Sequence, residues 1–334
     1  VIHSILISRT DSIGDVMLTL PMAAVLKKHY PQVKIGFIGK SYTKPVIDTC
    51  IHVDEFIDVE DFYTKDIKID GKIPSAIIHV FPLKQIAKRA SNLKIPLRIG
   101  TTNRLYHWTT CNKLVRLSRK NSSLHESQLN LKLLKAFGIQ EEIELQEIAN
   151  NYGFSKIEKL SAEFTSLIDP CKFNLILHPK SQGSAREWGL DNLALLIQLL
   201  DKKRYKIFIS GTSTERALLN PLFNTVGNMV TDITGRMNLN QFISFIYNAD
   251  GLIANSTGPL HIAAALGKHA IGIFPPMRPI HPGRWQPVGK NALVFVLDKS
   301  CNDCRKNPAI CSCIRNISAH QIQHKLDEII ASTL

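Results

Sequence analysis

The chain has 334 residues, of which 44% are hydrophobic and 21% charged, and no repeat or low-complexity tract interrupts it. That profile excludes a disordered chain, and the length exceeds one minimal domain and fits two of ordinary size. Lys and Arg outnumber Asp and Glu by 41 to 28, and the formal charge of +13 calls for an acidic partner: a phosphorylated small molecule, an anionic membrane face or a nucleic acid.

The first half alternates short β-rich runs with helical patterns. "SILIS" at 4–8 leads through the turn "RTDSIGDVMLTLP" into a helical pattern from Val16 to Tyr30. "VKIGFIG", "EFIDV" and "SAIIHVF" follow, then a helix from Leu83 to Asn92. In the turn, Asp15 follows Gly14 where the helix starts, so its carboxylate fits an N-cap or a general base, and Asp11 competes for either role. Spacing alone favours the cap.

From Gly71 to His125 there is no Asp or Glu, while Lys84, Lys88, Arg89, Lys94, Arg98, Arg104, Lys113, Arg116, Arg119 and Lys120 accumulate. A merely solvated face mixes signs, so part of this region is expected to touch anions. The amphipathic stretch "HESQLNLKLLKAFGI" closes the first half, and the pattern loosens between Glu141 and Cys171, with Asp169-Pro170 as a break. Domains are therefore expected at 1–165 and 166–334.

The alternation then restarts with "FNLILHP", a helix from Leu190 to Leu200, "YKIFISG", a helix after Thr214, and "MVTDITG". A helix from Leu239, "GLIAN", a helix from Pro259 and "AIGIF" complete it. The expected fold class is α/β, two doubly wound units facing across a cleft, with ligands at the carboxyl ends of the strands. A terminal helix is expected over Ser318 to Ile330, with apolar residues at Ile322, Leu326, Ile329 and Ile330. Its packing partner is not legible, and the first domain is one place for it.

Two loops of the second half fall just after expected strands. "HPKSQGSAREW" offers small residues whose amides can approach an anion, with Lys180 and Arg186 as charge partners. "NSTGPLHIAAALG" places Ser256, Thr257 and Gly258 at a helix start, where amides and hydroxyls meet a phosphate, and His261 one turn further in. The plain alternative is a capped helix with a packed histidine. No Walker loop and no dinucleotide-binding glycine pattern is present.

Of seven cysteines, Cys50, Cys111 and Cys171 are scattered packing residues. Cys301, Cys304, Cys311 and Cys313 form C-x2-C-x6-C-x-C, a spacing compatible with a tetrathiolate metal site although the closing C-x-C is not the usual zinc-ribbon pairing. Reduced thiols or a labile disulfide are the alternative. Asn121, Asn255 and Asn316 head sequons that would matter only in a secreted chain. No apolar run approaches the roughly 18 to 20 residues that span a bilayer, and no signal-like core follows a basic start, so the expectation is cytoplasmic.

The ordered series "RTDSIGDVMLTLP", "RIGTTNR", "HESQLNLKLLKAFGI", "HPKSQGSAREW", "ISGTSTERA", "DITGRMNLNQF" and "NSTGPLHIAAALGK" resembles the bacterial lipopolysaccharide heptosyltransferase family across nearly the whole chain. The resemblance implies a GT-B architecture of two Rossmann-like domains, the acceptor held by the first and the nucleotide-sugar donor mainly by the second. It implies an inverting, metal-independent transfer of heptose from ADP-heptose to the lipopolysaccharide inner core, with no cofactor.

In that family the carboxylate of the "GDV" turn is the proposed base, which falls on Asp15, with Ser12 and Gly14 of the same turn and Arg98 of "RIG" on the acceptor side. Arg186 takes the place of a family lysine contacting phosphate, and Ser181 and Gln182 share its loop. Thr257, Gly258 and His261 match a T-G-x-x-H element at the donor. Glu215 falls near an acid that contacts the ribose, and Met237 matches a residue whose backbone lies against adenine. Ser256 departs from the pattern, standing where the family carries an aspartate associated with the donor sugar's hydroxyls; a serine can hydrogen-bond a hydroxyl but brings no charge.

The acidic partner becomes a lipid A core at the cytoplasmic face of the inner membrane, where each nearby Lys or Arg adds about 1 kcal/mol. Two other readings stand beside this one: the same fold with another nucleotide sugar or a protein acceptor, and a basic nucleic-acid-binding protein. The last rests on charge alone, since no motif with interleaved aromatics accompanies it, and no nucleic acid is expected as a partner.

Overall fold

Ser4–Ser8 is a run in which every residue is buried, as befits a central strand of a parallel sheet covered on both faces. The computed structural model describes residues 2–119, 122–181, 183, 185–278, 280–298 and 312–333. The chain divides into two units, Val1–Lys156 and Ile157–Leu334.

In the first unit, six strands β1 (Ser4–Ser8), β2 (Lys34–Gly39), β3 (Glu55–Asp58), β4 (Ala76–His79), β5 (Leu97–Thr101) and β6 (Lys113–Val115) form one sheet in the order β3-β2-β1-β4-β5-β6. Every pairing in it is parallel. One face is covered by a cluster that includes Leu6, Ile38, Ile57, Phe62, Ile77 and Ile86.

The second unit repeats the plan with β7 (Phe173–His178), β8 (Tyr205–Ile209), β9 (Thr231–Asp232), β10 (Gly251–Asn255), β11 (His269–Ile273) and β12 (Ala292–Phe295), in the order β12-β11-β10-β7-β8-β9. Numbered within each unit, both sheets run 3-2-1-4-5-6, and all pairings are again parallel. The strand order therefore reverses between β1 and β4 and between β7 and β10. Those two switch points are where an open α/β sheet leaves a crevice beyond its carboxyl ends.

Several expectations are adjusted. The helical pattern from Val16 to Tyr30 is two helices, Ile13–Met17 and Pro21–His29, because Pro21 has no N–H with which to continue a helix and instead starts one. Residues 157–165, expected in the first domain, belong with the second unit: Ser244 Oγ donates to Glu158 O at 2.7 Å, and Arg236 Nη2 pairs with Glu163 Oε1 at 2.7 Å. The terminal helix Ala319–Thr333 buries Ile322, Leu326, Ile329 and Ile330 in the second unit's core with Leu175, Leu196 and Ile207, which uses the stripe that could have covered the first domain. Among the described residues, no helix is long and apolar enough to cross a membrane.

Candidate functional site

At the first switch point the chain leaves β1 at Arg9, which is 3% exposed. A buried guanidinium needs anions, and three carboxylates surround it: Asp11 Oδ1 lies 2.7 Å from Nε, Glu126 Oε1 lies 3.2 Å from Nη1, and Asp15 Oδ1 pairs with Nη2. Glu126, itself 1% exposed, also receives Arg119 Nε at 2.9 Å, and Arg119 Nη2 donates to Asn130 Oδ1 at 2.8 Å. Burial pushes the Asp11 carboxyl up to about 6, the charge of Asp15 adds to that, and Arg9 opposes it. The three carboxylates raise Arg9 in spite of its burial, so it stays a cation.

Asp15 does not cap its helix. Ser12 is the N-cap, accepting from Asp15 N at 3.4 Å, which places Asp15 in the third helical position with its carboxylate turned to Arg9. Ser12 Oγ donates to Asp15 Oδ2 at 2.5 Å, so each carboxylate oxygen has a donor while the side chain stays 17% exposed. Gly14 is buried in the first turn. Tyr42 Oη donates to Asp11 O at 2.5 Å, and the Phe81 ring lies 5.9 Å from Arg9 Cζ, so the loops after β1, β2 and β4 meet here.

Arg98 is placed differently from its expected neighbours. Its Nε donates to Thr110 O at 2.7 Å and its Nη1 to Ile95 O at 2.6 Å, so the guanidinium ties β5 to its flanking loops. Beyond it, the His107 ring covers Gly100, where an added Cβ would stand 2.6 Å from Nδ1, and stacks on His79 with centroids 5.6 Å apart. Burial pushes His79 down to about 3, and it is neutral at ordinary pH.

At the second switch point the loop after β7 is shaped by Glu187, whose carboxylate takes Lys180 Nζ at 2.5 Å and Ser181 N and Oγ at 3.2 Å each. Arg186 is half-buried in the same loop, and Gln182 lies outside the described residues. Across the switch point, Asn255 at the end of β10 accepts from Trp188 N at 3.0 Å and donates to Pro179 O at 3.1 Å, pinning both ends of that loop. Ser256 and Thr257 follow directly, and Thr257 holds the N-cap position of the helix Gly258–Ala265. Thr257 Oγ1 is buried without a partner among the described residues, at the end of a helix that concentrates free N–H groups and positive potential. His261 is buried one turn in, at 2% exposure.

The two adjacent loops are stitched together. Gly235 N donates to Gly211 O at 2.9 Å, and Gly235, at φ +67°, approaches Ser213 so closely that a Cβ would stand 2.8 Å from its Cα. This joins the loop of Glu215 to that of Met237. Glu215 Oε2 accepts from Thr212 N at 2.8 Å and Thr212 Oγ1 at 3.0 Å, a reciprocal T-x-x-E tie that folds the carboxylate against its own loop. Met237 is half-buried.

Each unit thus carries its described candidate residues, apart from Arg98, on loops at the carboxyl edge of its sheet. Sequence reasoning missed Arg9, Glu126, Arg119, Glu187 and Asn255 as organisers. An arginine at the end of an apolar strand beside two aspartates was the available signal for Arg9. Asn255 was read only as a sequon, yet its amide is buried. Cys301, Cys304 and Cys311 lie outside the described residues, and Cys313 is buried in the apolar core beside Ile314 and Ile317. Among the described residues, no three His, Cys, Asp or Glu side chains are grouped to hold a metal ion.

Residues 87–314 match the model of glycosyltransferase family 9 (heptosyltransferase). A Haemophilus influenzae protein that carries a provisional glycosyltransferase name is 26% identical over 86% of this chain and 86% of its own. The lipopolysaccharide core heptosyltransferase OpsX of the same organism is 22% identical over 81% of this chain and 78% of its own. The structure of Escherichia coli ADP-heptose LPS heptosyltransferase II has the same fold, with a TM-score of 0.77 over 99% of both chains at 16% identity. The GT-B architecture and the family match together show that the chain belongs to glycosyltransferase family 9, the heptosyltransferases.

Proposed function

We propose that the chain is an inverting transferase that moves heptose from ADP-heptose to a sugar of the lipopolysaccharide inner core, without a metal ion. The observation that carries this reading is the set of loops at the two switch points, one organised around a paired, partly exposed carboxylate and the other around a helix start whose buried Thr257 hydroxyl has no partner among the described residues. The similarity to proteins named for ADP-heptose and for the lipopolysaccharide core supports the choice of donor and acceptor.

In this reading Asp15 accepts the proton of the acceptor hydroxyl while that oxygen bonds to the anomeric carbon and the bond to the diphosphate breaks on the opposite face. ADP leaves with the bonding electrons. Arg186, Ser181, Gln182, Thr257, Gly258 and His261 meet the growing charge on the diphosphate, and Glu215 and Met237 hold the nucleoside. Ser12 and Arg9 keep the base aimed, and Gly14 keeps the turn tight. Arg98 contributes by fixing the loop after β5. The enzyme works at the cytoplasmic face of the inner membrane, with the basic face of its first unit toward anionic lipid.

Asp15→Asn keeps the size and one acceptor oxygen, enough to accept from Arg9, but not the proton-accepting charge. Turnover of ADP-heptose on a truncated core acceptor falls by a factor on the order of 10² to 10⁴, while calorimetric ADP affinity stays at the parent value. Retained turnover removes Asp15 as the base. Ser256 favours a second reading, a donor sugar other than heptose. Titration with ADP, UDP and GDP, followed by a donor screen read by mass spectrometry, separates the two. Under the heptose reading Ser256→Asp retains or improves ADP-heptose use; a preference for UDP or GDP overturns that reading.

A further inference from the structure

Leu105 is 89% exposed, the most of any large hydrophobic residue described as exposed, and Trp108, one turn later, is 61% exposed. They do not lie on a loose loop. Trp108 N donates to Leu105 O at 3.1 Å, Trp108 Nε1 donates to Thr102 O at 3.1 Å, and His107 between them turns inward, where its Nδ1 accepts from Thr101 N at 2.9 Å over Gly100. The two apolar side chains are therefore held outward by a buried histidine.

Their rim is basic. Asn103 Nδ2 donates to Leu117 O at 3.2 Å, which draws this turn against the segment carrying exposed Lys113 and Arg116. The helix Lys84–Asn92 packs on the helix His107–Thr110 and carries exposed Lys88. Arg104 is exposed beside Leu105. None of these four cations has a carboxylate partner among the described residues, and no Asp or Glu occurs between Gly71 and His125.

We propose that the Leu105–Trp108 turn is an interfacial anchor that inserts into an anionic phospholipid surface, with Arg104, Arg116, Lys113 and Lys88 against the headgroups. This deepens the membrane contact of the proposed function and rests on that reading. Two apolar side chains alone bind a bilayer only marginally, and a stable reversible contact takes a second, polybasic signal, which is what surrounds them. A tryptophan whose indole N–H is already satisfied carries no unmet donor into the interface. The apolar area is too small for a specific protein interface, and a lone Trp beside a Leu is not a stacking platform for successive bases. The turn follows β5, so it lies at the same carboxyl edge of the sheet as Asp15, where a lipid-borne acceptor would be presented.

The test uses the full chain and sedimentation with vesicles of phosphatidylcholine alone or with about a third phosphatidylglycerol. The parent binds the anionic vesicles, and Leu105→Ser/Trp108→Ser weakens binding about tenfold or more while its circular dichroism is unchanged. Arg104→Glu/Arg116→Glu and added salt weaken it too, and the vesicle-induced blue shift of tryptophan emission is lost in the serine variant. Undiminished sedimentation of the serine variant overturns the proposal, as does a parent that ignores vesicles but binds RNA at physiological salt. A protein that binds vesicles through this turn yet transfers no heptose defeats the transferase reading alone. Transfer to a delipidated core oligosaccharide stays at the parent rate in the serine variant, which separates the anchor from the chemistry.

Discussion

Arg9 shows how one buried cation organises a reactive carboxylate. Its guanidinium divides three ways, so the protonation of Asp11 near pH 6 takes the charge out of one of the pairs that aim it at Asp15. Folding favours the protonated form of Asp11, because its pKa is raised. This group's contribution to stability is therefore complete below its unfolded value near 4 and is lost as the pH rises through about 6. Activity runs the other way: kcat/KM falls as pH drops below about 6, and Asp11→Asn flattens that limb at a lower plateau. A pH–rate profile of the two proteins with saturating donor checks this. Arg9→Gln, by contrast, leaves Glu126 buried with one partner fewer and costs about 3 to 5 kcal/mol, read in a urea titration.

At the scale of elements, the long apolar strands and their flanking turns were legible, since "SILIS", "FNLIL" and "GLIAN" are buried runs bounded by punctuating residues. The strands β5, β6 and β12 were not named as strands. β5 carries Arg98 and Gly100 within its five residues, β6 has three residues, and β12 is half-exposed, so none shows a period of its own; neighbours in the sheet create them. The positions of the site loops were legible for the same reason that their internal bonds were not. Strand ends announce themselves in composition, whereas the reach of Asn255 to Trp188 and Pro179 depends on a register between residues far apart in sequence. Asn255→Ala strands a buried N–H and a carbonyl and costs on the order of 2 kcal/mol. The loop it pins carries the proposed phosphate contacts, so KM for the donor rises more than kcat falls, measured by steady-state kinetics on the refolded variant.

For the molecule as a whole, each unit owns a core, and the second is completed by the helix Ala319–Thr333. Ile314, Ile317, Ile322 and Leu326 pack in one cluster with Leu175, Leu196 and Ile207, more than a hundred residues earlier. On a ribosome this imposes an order of events. Among the described residues the first unit has its strands by residue 115 and closes while synthesis continues, whereas the β7–β10 layer waits with an uncovered apolar face until the helix Ala319–Thr333 emerges. Nascent chains stalled just before residue 319 are predicted to yield a protease-resistant fragment near 1–156 and a fully digestible remainder, with protection of 157–334 appearing once the helix Ala319–Thr333 is clear. The interval between those two events is when the second unit leans on chaperones, so its yield in cells responds to the speed at which residues 319–333 are translated and the first unit's does not.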